Sequence, residues 1–152
     1  MKIKFLPFMV VVLSAACNRP ANDLSSKREI FDAGGQEVIT SAANEQQGTM
    51  SILYGNGPAR EKAIAGTCMH SPGEVFTLVT WMEVGNPHWY GTYINGRIKS
   101  VETVQISSDL QSHSRIDYTL AKGSGPKYIN SNTIERRDRI SFILNQSSSV
   151  FP

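Results

Sequence analysis

Cysteine is nearly missing from this chain, with Cys17 and Cys68 the only two among 152 residues. Once Cys17 is assigned to an export signal, as argued below, one thiol is left. No internal disulfide is then available, and stability has to come from the core. Histidine is almost as scarce: His70, His88 and His113 lie 18 and 25 positions apart, which excludes the clustered donors of a metal site. No apolar run approaches the ~20 residues that a membrane-spanning helix needs. Missing too are a GxSxG elbow, an HExxH pair, a CxxC pair and a glycine-rich phosphate loop, and with them the commonest hydrolase, metalloprotease and nucleotide-binding chemistries. Net charge is also lacking. The formal +2 includes Lys2 and Lys4; without them thirteen Lys and Arg face thirteen Asp and Glu. A nucleic-acid partner, which calls for a basic stripe, is excluded.

What is present begins at the N-terminus. Lys2 and Lys4 lead into a short apolar run, Phe5 to Ala16, interrupted only by Pro7 and Ser14. That is the pattern of a secretory signal, and it is set apart from the fold. Its end, LSAAC, puts small residues directly before Cys17, as lipoprotein signal peptidase requires, although Ser14 stands where leucine is preferred. Residues 1–16 are read as a lipoprotein signal peptide and Cys17 as the lipidated residue. The plainer alternative is ordinary cleavage near Ala15 or Ala16. Lipid chains hold a domain on a membrane without spanning it, each buried methylene contributing ~0.8 kcal/mol. The expected location is the cell envelope, facing the periplasm or anchored to the outer membrane, with Asn18 after the cysteine favouring the outer one. Residues 17–28 are polar and contain Pro20, which suits a flexible tether. Residues 29–152 are enough for a single domain with a useful core.

Within that domain EVITSAA and TMSILYG are short β-like runs. GPAREKAIAG has Pro58 placed for a first helical turn and Gly66 for a stop. EVFTLVTWM is apolar in both phases, as a strand covered on both sides would be. WYGTYI and SVETVQIS follow, separated by the turn-forming NGR. RIDYTLA alternates, with Ile116, Tyr118 and Leu120 inward, and GSGPK breaks the sheet. SNTIERRDRISFILNQ opens with cap-forming residues and carries Ile140, Ile143 and Leu144 at helical spacing. The prediction is an α+β domain: a mainly antiparallel β-sheet with a short early helix and a C-terminal helix. The charges of ERRDR read as a solvated helix face, with Glu135 and Asp138 on its surface, and Ser147 to Ser149 as a polar tail.

One stretch stands out. Trp81, Trp89, Tyr90, Tyr93 and His88 fall within thirteen residues. Trp81 closes the doubly apolar strand, so its expected duty is packing. Gly85, Asn86 and Pro87 are turn formers, which places Trp81 and Trp89 on adjacent antiparallel strands. Trp89 or Tyr90 then pairs across to Trp81, worth ~0.2–1 kcal/mol. His88 reads as a turn residue bonding a backbone carbonyl, or else as a ligand contact. His113 is read as solvated and His70 as exposed at a turn.

The order of ILYGNGPAREKAIAG, SPGEVFTLVTW and KSVETVQI resembles that of the cytochrome P-460 family over about residues 48–152. Gly55, Asn56, Pro72, Gly73 and Trp81 are the clearest points. The resemblance implies a small, mostly β, periplasmic domain related to cytochrome c′-beta. It further implies a haem lying against one face of the sheet and attached through CxxCH near the C-terminus, with that His as axial ligand. In the family's enzymes a lysine also cross-links to the haem, and the chemistry is oxidation of hydroxylamine or handling of nitric oxide. Here RISFILNQSSSVFP holds neither Cys nor His. The attachment pair is absent, no lysine is carried over, and covalent haem at that place is excluded. TCMH does not replace it, because Met69 separates Cys68 from His70 and spoils the spacing for a single thioether. Cys68 is expected to be a partly buried small hydrophobe.

No cofactor is expected, and haem held without a covalent bond stays open. Its weak candidate contacts are His88 as the iron ligand, with Trp81, Trp89 and Tyr90 as pocket lining. The favoured function is a cell-envelope lipoprotein whose P-460-like domain has lost covalent haem and serves as a binding or sensing module rather than an enzyme. The alternatives are a noncovalent haem oxidoreductase and an envelope interaction or inhibitor protein. The membrane, reached through Cys17, is the one partner that the sequence names; no motif identifies a small ligand or an envelope protein.

Overall fold

Alternating apolar and polar residues along five segments assemble one antiparallel sheet. The computed structural model describes residues 28–108, 114–123 and 133–149. Its strands are β1 (Glu37–Asn44), β2 (Thr49–Gly55), β3 (Val75–Gly85), β4 (Tyr93–Ser108) and β5 (Ser114–Lys122), with α1 (Gly57–Ala65) between β2 and β3 and α2 (Thr133–Leu144) last. The strands lie in chain order, each antiparallel to its neighbours. The α+β class, the single domain, the early helix and the C-terminal helix are all as expected. The signal, Cys17, most of the tether, His113, most of GSGPK and the cap residues before α2 lie outside the described residues.

Both helices cover the same face. Leu53, Phe76, Leu78, Val104 and Ile106 point up from the sheet and meet Ala59 and Ala63 of α1 and Ile143 of α2. Phe76 is 1% exposed, and burying a side chain of that size is worth ~1.5–3 kcal/mol. Asn56 caps α1: its side-chain oxygen accepts from Ala59 N–H (3.2 Å) and Val75 N–H (3.1 Å), and its amide donates to the Gly73 carbonyl (2.7 Å). One residue thus joins the end of β2, the start of α1 and the turn into β3. Gly66 ends the helix in the left-handed region, at φ 62°, where a Cβ is disfavoured.

The opposite face carries a smaller cluster of Val79, Trp81 and Ile98, roofed by Phe31 from the segment before β1. Trp81 Nε1 donates to the Glu29 carbonyl at 2.9 Å, Glu29 N–H to the Gly96 carbonyl at 2.9 Å, and Ile98 N–H to the Glu29 carboxylate at 2.8 Å. β3 is therefore covered on both sides, as its double apolar phase requires.

Two sequence expectations are corrected and a third is refined. NGR is not a turn, because β4 runs unbroken from Tyr93 to Ser108. Gly96 lies inside it, opposite a register shift at Trp81 to Glu83. A Cβ there would come within 2.3 Å of Val84 Cγ2 and 2.9 Å of the Met82 carbonyl, so this glycine permits close strand approach. Ile116 faces the helix side but is 43% exposed, because β5 is an edge strand. The polar tail Ser147 to Ser149 is docked rather than merely polar: Ser148 N–H donates to the Ala63 carbonyl and Ser149 N–H to the Ile39 carbonyl, both at 3.1 Å.

Candidate functional site

α2 lies over the helix-bearing face and leaves a hollow on each side. Residues 40, 42 and 44 of β1, 49, 51 and 53 of β2, and 78 and 80 of β3 share that face by alternation, and residues 139 and 142 share one side of α2, with Gln146 just past its end. Between them is a cleft of about 300 Å³, at the lower end of the size of small-molecule sites. Its floor is Leu53 and Leu78. Its walls carry Thr40, Thr49, Ser51, Thr80, Asn44 and Gln146, with Phe142 above. On the far side of α2, Lys99, Ser100, Tyr118, Leu120, Lys122 and Glu135 border a second hollow of similar volume. Arg139 lines both.

The partition between the hollows is ionic. Glu102, 4% exposed, sits in register between Leu78 and Leu120. Its carboxylate accepts from Arg139 Nε (2.9 Å) and Nη2 (2.7 Å) and from the Tyr118 hydroxyl (2.8 Å). Two parallel guanidinium contacts fix angle as well as distance. The hydrogen bond to Glu102 raises the pKa of Arg139, despite the opposing effect of burial. Burial first, then the hydrogen bond and charge of Glu102, hold the Tyr118 phenol far above its ordinary value of 10. Among the described residues every buried side-chain nitrogen and oxygen has a hydrogen-bond partner.

The sign of the Tyr118 shift makes a prediction. Below pH ~10 the phenol is protonated in both folded and unfolded chains, and its stabilising bond to Glu102 is complete. Above that the unfolded chain ionises first, so stability falls as pH climbs toward the folded value. Absorbance at 295 nm should show a tyrosine that ionises only with alkaline unfolding, and Tyr118→Phe should remove it and flatten the loss of stability. A Tyr118 that titrates in the folded protein with an ordinary midpoint would contradict this bond.

A second buried carboxylate lies at the other end of the same face. Glu74 is fully buried; His70 Nδ1 lies 2.6 Å from one of its oxygens, and Ser71 N–H donates to the other at 2.7 Å. The His70 ring stands edge-on to Phe76. His70 is thus packed rather than exposed at a turn, since an adjacent buried acid draws it inward. Cys68 is exposed, not partly buried, because it follows Gly66 into the loop rather than the core. The hollow beside these residues is only about 70 Å³, room for about two waters.

The sequence-named candidates do not converge. Trp81 is buried on the face away from the helices. Trp89 is not on a strand: with His88 and Tyr90 it belongs to the loop before Tyr93, and all three are exposed. The turn formers that were expected to make a tight hairpin instead begin a wider loop, closed by Asn86 N–H to the Thr92 carbonyl. The cross-strand partners of Trp81 are accordingly Ile98 on β4 and Met50 on β2, neither of them aromatic. A haem ligated by His88 would stand open to water between exposed rings, so these residues do not fit an enclosed axial-ligand pocket. Among the described residues no group of three His, Cys, Asp or Glu is placed to hold a metal ion.

Glu102 and Arg139 were not singled out from sequence, yet one signal was available. Glu102 has the same strand phase as Val104 and Ile106, and a glutamate in the inward phase needs a partner. No family model matches the chain, and no curated protein matches it.

Proposed function

We propose that this chain is a cell-envelope lipoprotein whose cytochrome P-460-like domain works as a binding module, with its ligand site in the cleft between the β1–β3 floor and α2. The carrying observation is the character of that cleft. Hydroxyl and amide side chains surround an apolar floor, one guanidinium closes the side, and among the described lining residues there is no imidazole or thiol. Ser51 Oγ and Thr80 Oγ1 lie 3.0 Å apart and satisfy one another, without the base that would make either a nucleophile. Such a surface orients a small polar molecule and supplies no general acid–base pair. The signal ending in LSAAC supports the envelope assignment, and the order of segments from Gly55 to Trp81 supports the P-460 likeness. The joints that carry this likeness, Asn56 and Gly73, are structural, so a scaffold can persist after attachment residues are lost.

The test is a thermal-shift screen of neutral sugars, amino acids and short carboxylates against the exported protein and Ala42→Trp, which places an indole in the cleft. A compound that raises Tm in the parent and not in the variant is the expected result. Ligand at a hundred times its Kd adds ~2.7 kcal/mol, ample for detection. Hemin is titrated beside them. A Soret band abolished by His88→Ala would overturn this reading in favour of a haem protein.

A further inference from the structure

Resting on the reading of Cys17 as lipidated, we infer that the loop between β3 and β4 lies in the headgroup layer of the membrane that holds the chain, with Trp89 and Tyr90 as the inserted side chains. Three observations meet at this end of the sheet. First, Trp89 is 73% exposed and Tyr90 wholly so, with Tyr93 and Met82 exposed nearby. From Val84 to Gly96 the chain has no Asp, Glu, Lys or Arg. An uncharged tip of tryptophan and tyrosine has the composition of a bilayer interface, where an apolar ring and a polar edge are both satisfied.

Second, the loop is shaped by its own hydrogen bonds. Asn86 Oδ1 accepts from His88 N–H (3.0 Å), and the Trp89 carbonyl accepts from both the Thr92 amide and hydroxyl (3.3 and 3.0 Å). The exposed rings are therefore presented by a formed turn, which lowers the ordering cost of insertion.

Third, the anchor leads there. Phe31 packs beside Tyr54, whereas Glu29 bonds Gly96 and Trp81, nearer the loop. Followed backward from Phe31, the chain thus runs toward the β3–β4 tip. Gly96 is three residues from Tyr93, ~10 Å along a strand. Residues 18 to 27 reach at most ~33–36 Å from there to the lipid. Lipid on Cys17 consequently holds this end of the sheet within that reach of the bilayer.

The full lipidated chain, reconstituted into phosphatidylethanolamine–phosphatidylglycerol vesicles, tests the inference with Trp89 as probe. Acyl-chain-brominated phosphatidylcholine should quench most of the emission that is missing in Trp89→Phe and leave that of buried Trp81. The Trp89→Ser, Tyr90→Ser variant should float with vesicles as the parent does. If the chain floats but Trp89 is quenched by aqueous iodide and untouched by bromolipid, the contact is wrong while the anchor stands, and the loop is free for a protein partner. If the chain does not float with vesicles at all, the lipidation reading fails and the inference fails with it.

Discussion

Replacing Arg139 with methionine is expected to cost the domain about 2–3 kcal/mol, and replacing Glu102 with leucine at the same time to recover most of it. The single change leaves the Glu102 carboxylate in the sheet, facing Leu78, Leu120 and the underside of α2, with Tyr118 as its one remaining donor. Removing one member of a buried pair typically costs 3–5 kcal/mol, because the other charge is left desolvated. A cost at or just below the bottom of that range is assigned here because Arg139 is 41% exposed and water can enter the place it vacates. The double variant removes both charges and continues the Leu78–Leu120 row, and a buried pair replaced by packed apolar residues is often neutral or better. Urea denaturation of the parent, both single variants and the double closes the cycle. A single variant within ~0.5 kcal/mol of the parent would show that the partition is solvated, like an ordinary surface pair.

Trp81→Ala is expected to have the largest effect of any single substitution on the face opposite the helices, about 3–5 kcal/mol, the usual range for emptying an aromatic site in a core. The indole fills the space between Val79, Ile98 and Phe31 and also holds the Glu29 carbonyl. Its loss opens a cavity and releases the segment that closes this face. Trp81→Phe separates the two contributions: most of the packing remains, the Nε1 donor is lost, and ~1 kcal/mol is expected for one hydrogen bond. Calorimetry on both variants measures the difference. Should Trp81→Ala be nearly neutral in stability but abolish ligand binding, packing is not its role, and the assignment of the site to the helix-bearing face is wrong.

These two residues show what could and could not be read ahead of the structure. Trp81 was legible as core because it ends a run with apolar residues in both phases, and such a run has to be buried on both sides wherever the rest of the chain goes. α1 was legible because Pro58 and Gly66 mark its ends by local backbone chemistry. The reach of Arg139 was not, because the sequence around it reads as a charged, solvated helix face. Only the docking of α2 on the sheet sets that guanidinium against Glu102. His70 is hidden in the same way: the turn residues after it suggest exposure, and the buried Glu74 that holds it is revealed only by the fold.

The aromatic stretch divides along the same line. Strand periodicity places Trp81, but it carries no information on where β4 begins. The strand starts at Tyr93 because Asn86 and Thr92 close a loop on themselves, leaving Trp89 and Tyr90 outside the sheet. By itself, the sequence determined the approximate course of β1, β2, β3, β5 and both helices, the α+β class, the doubly covered central strand and the absence of a haem-attachment motif near the C-terminus. These follow from periodicity, capping and residue chemistry over a few neighbours. Tertiary structure alone decided that the cleft lies beside α2, that Glu102 and Arg139 divide it, and that the exposed rings share one end of the sheet with the approach of the N-terminal segment. Each of those depends on contacts between residues far apart in the chain, which strand register and helix docking create and local pattern does not contain.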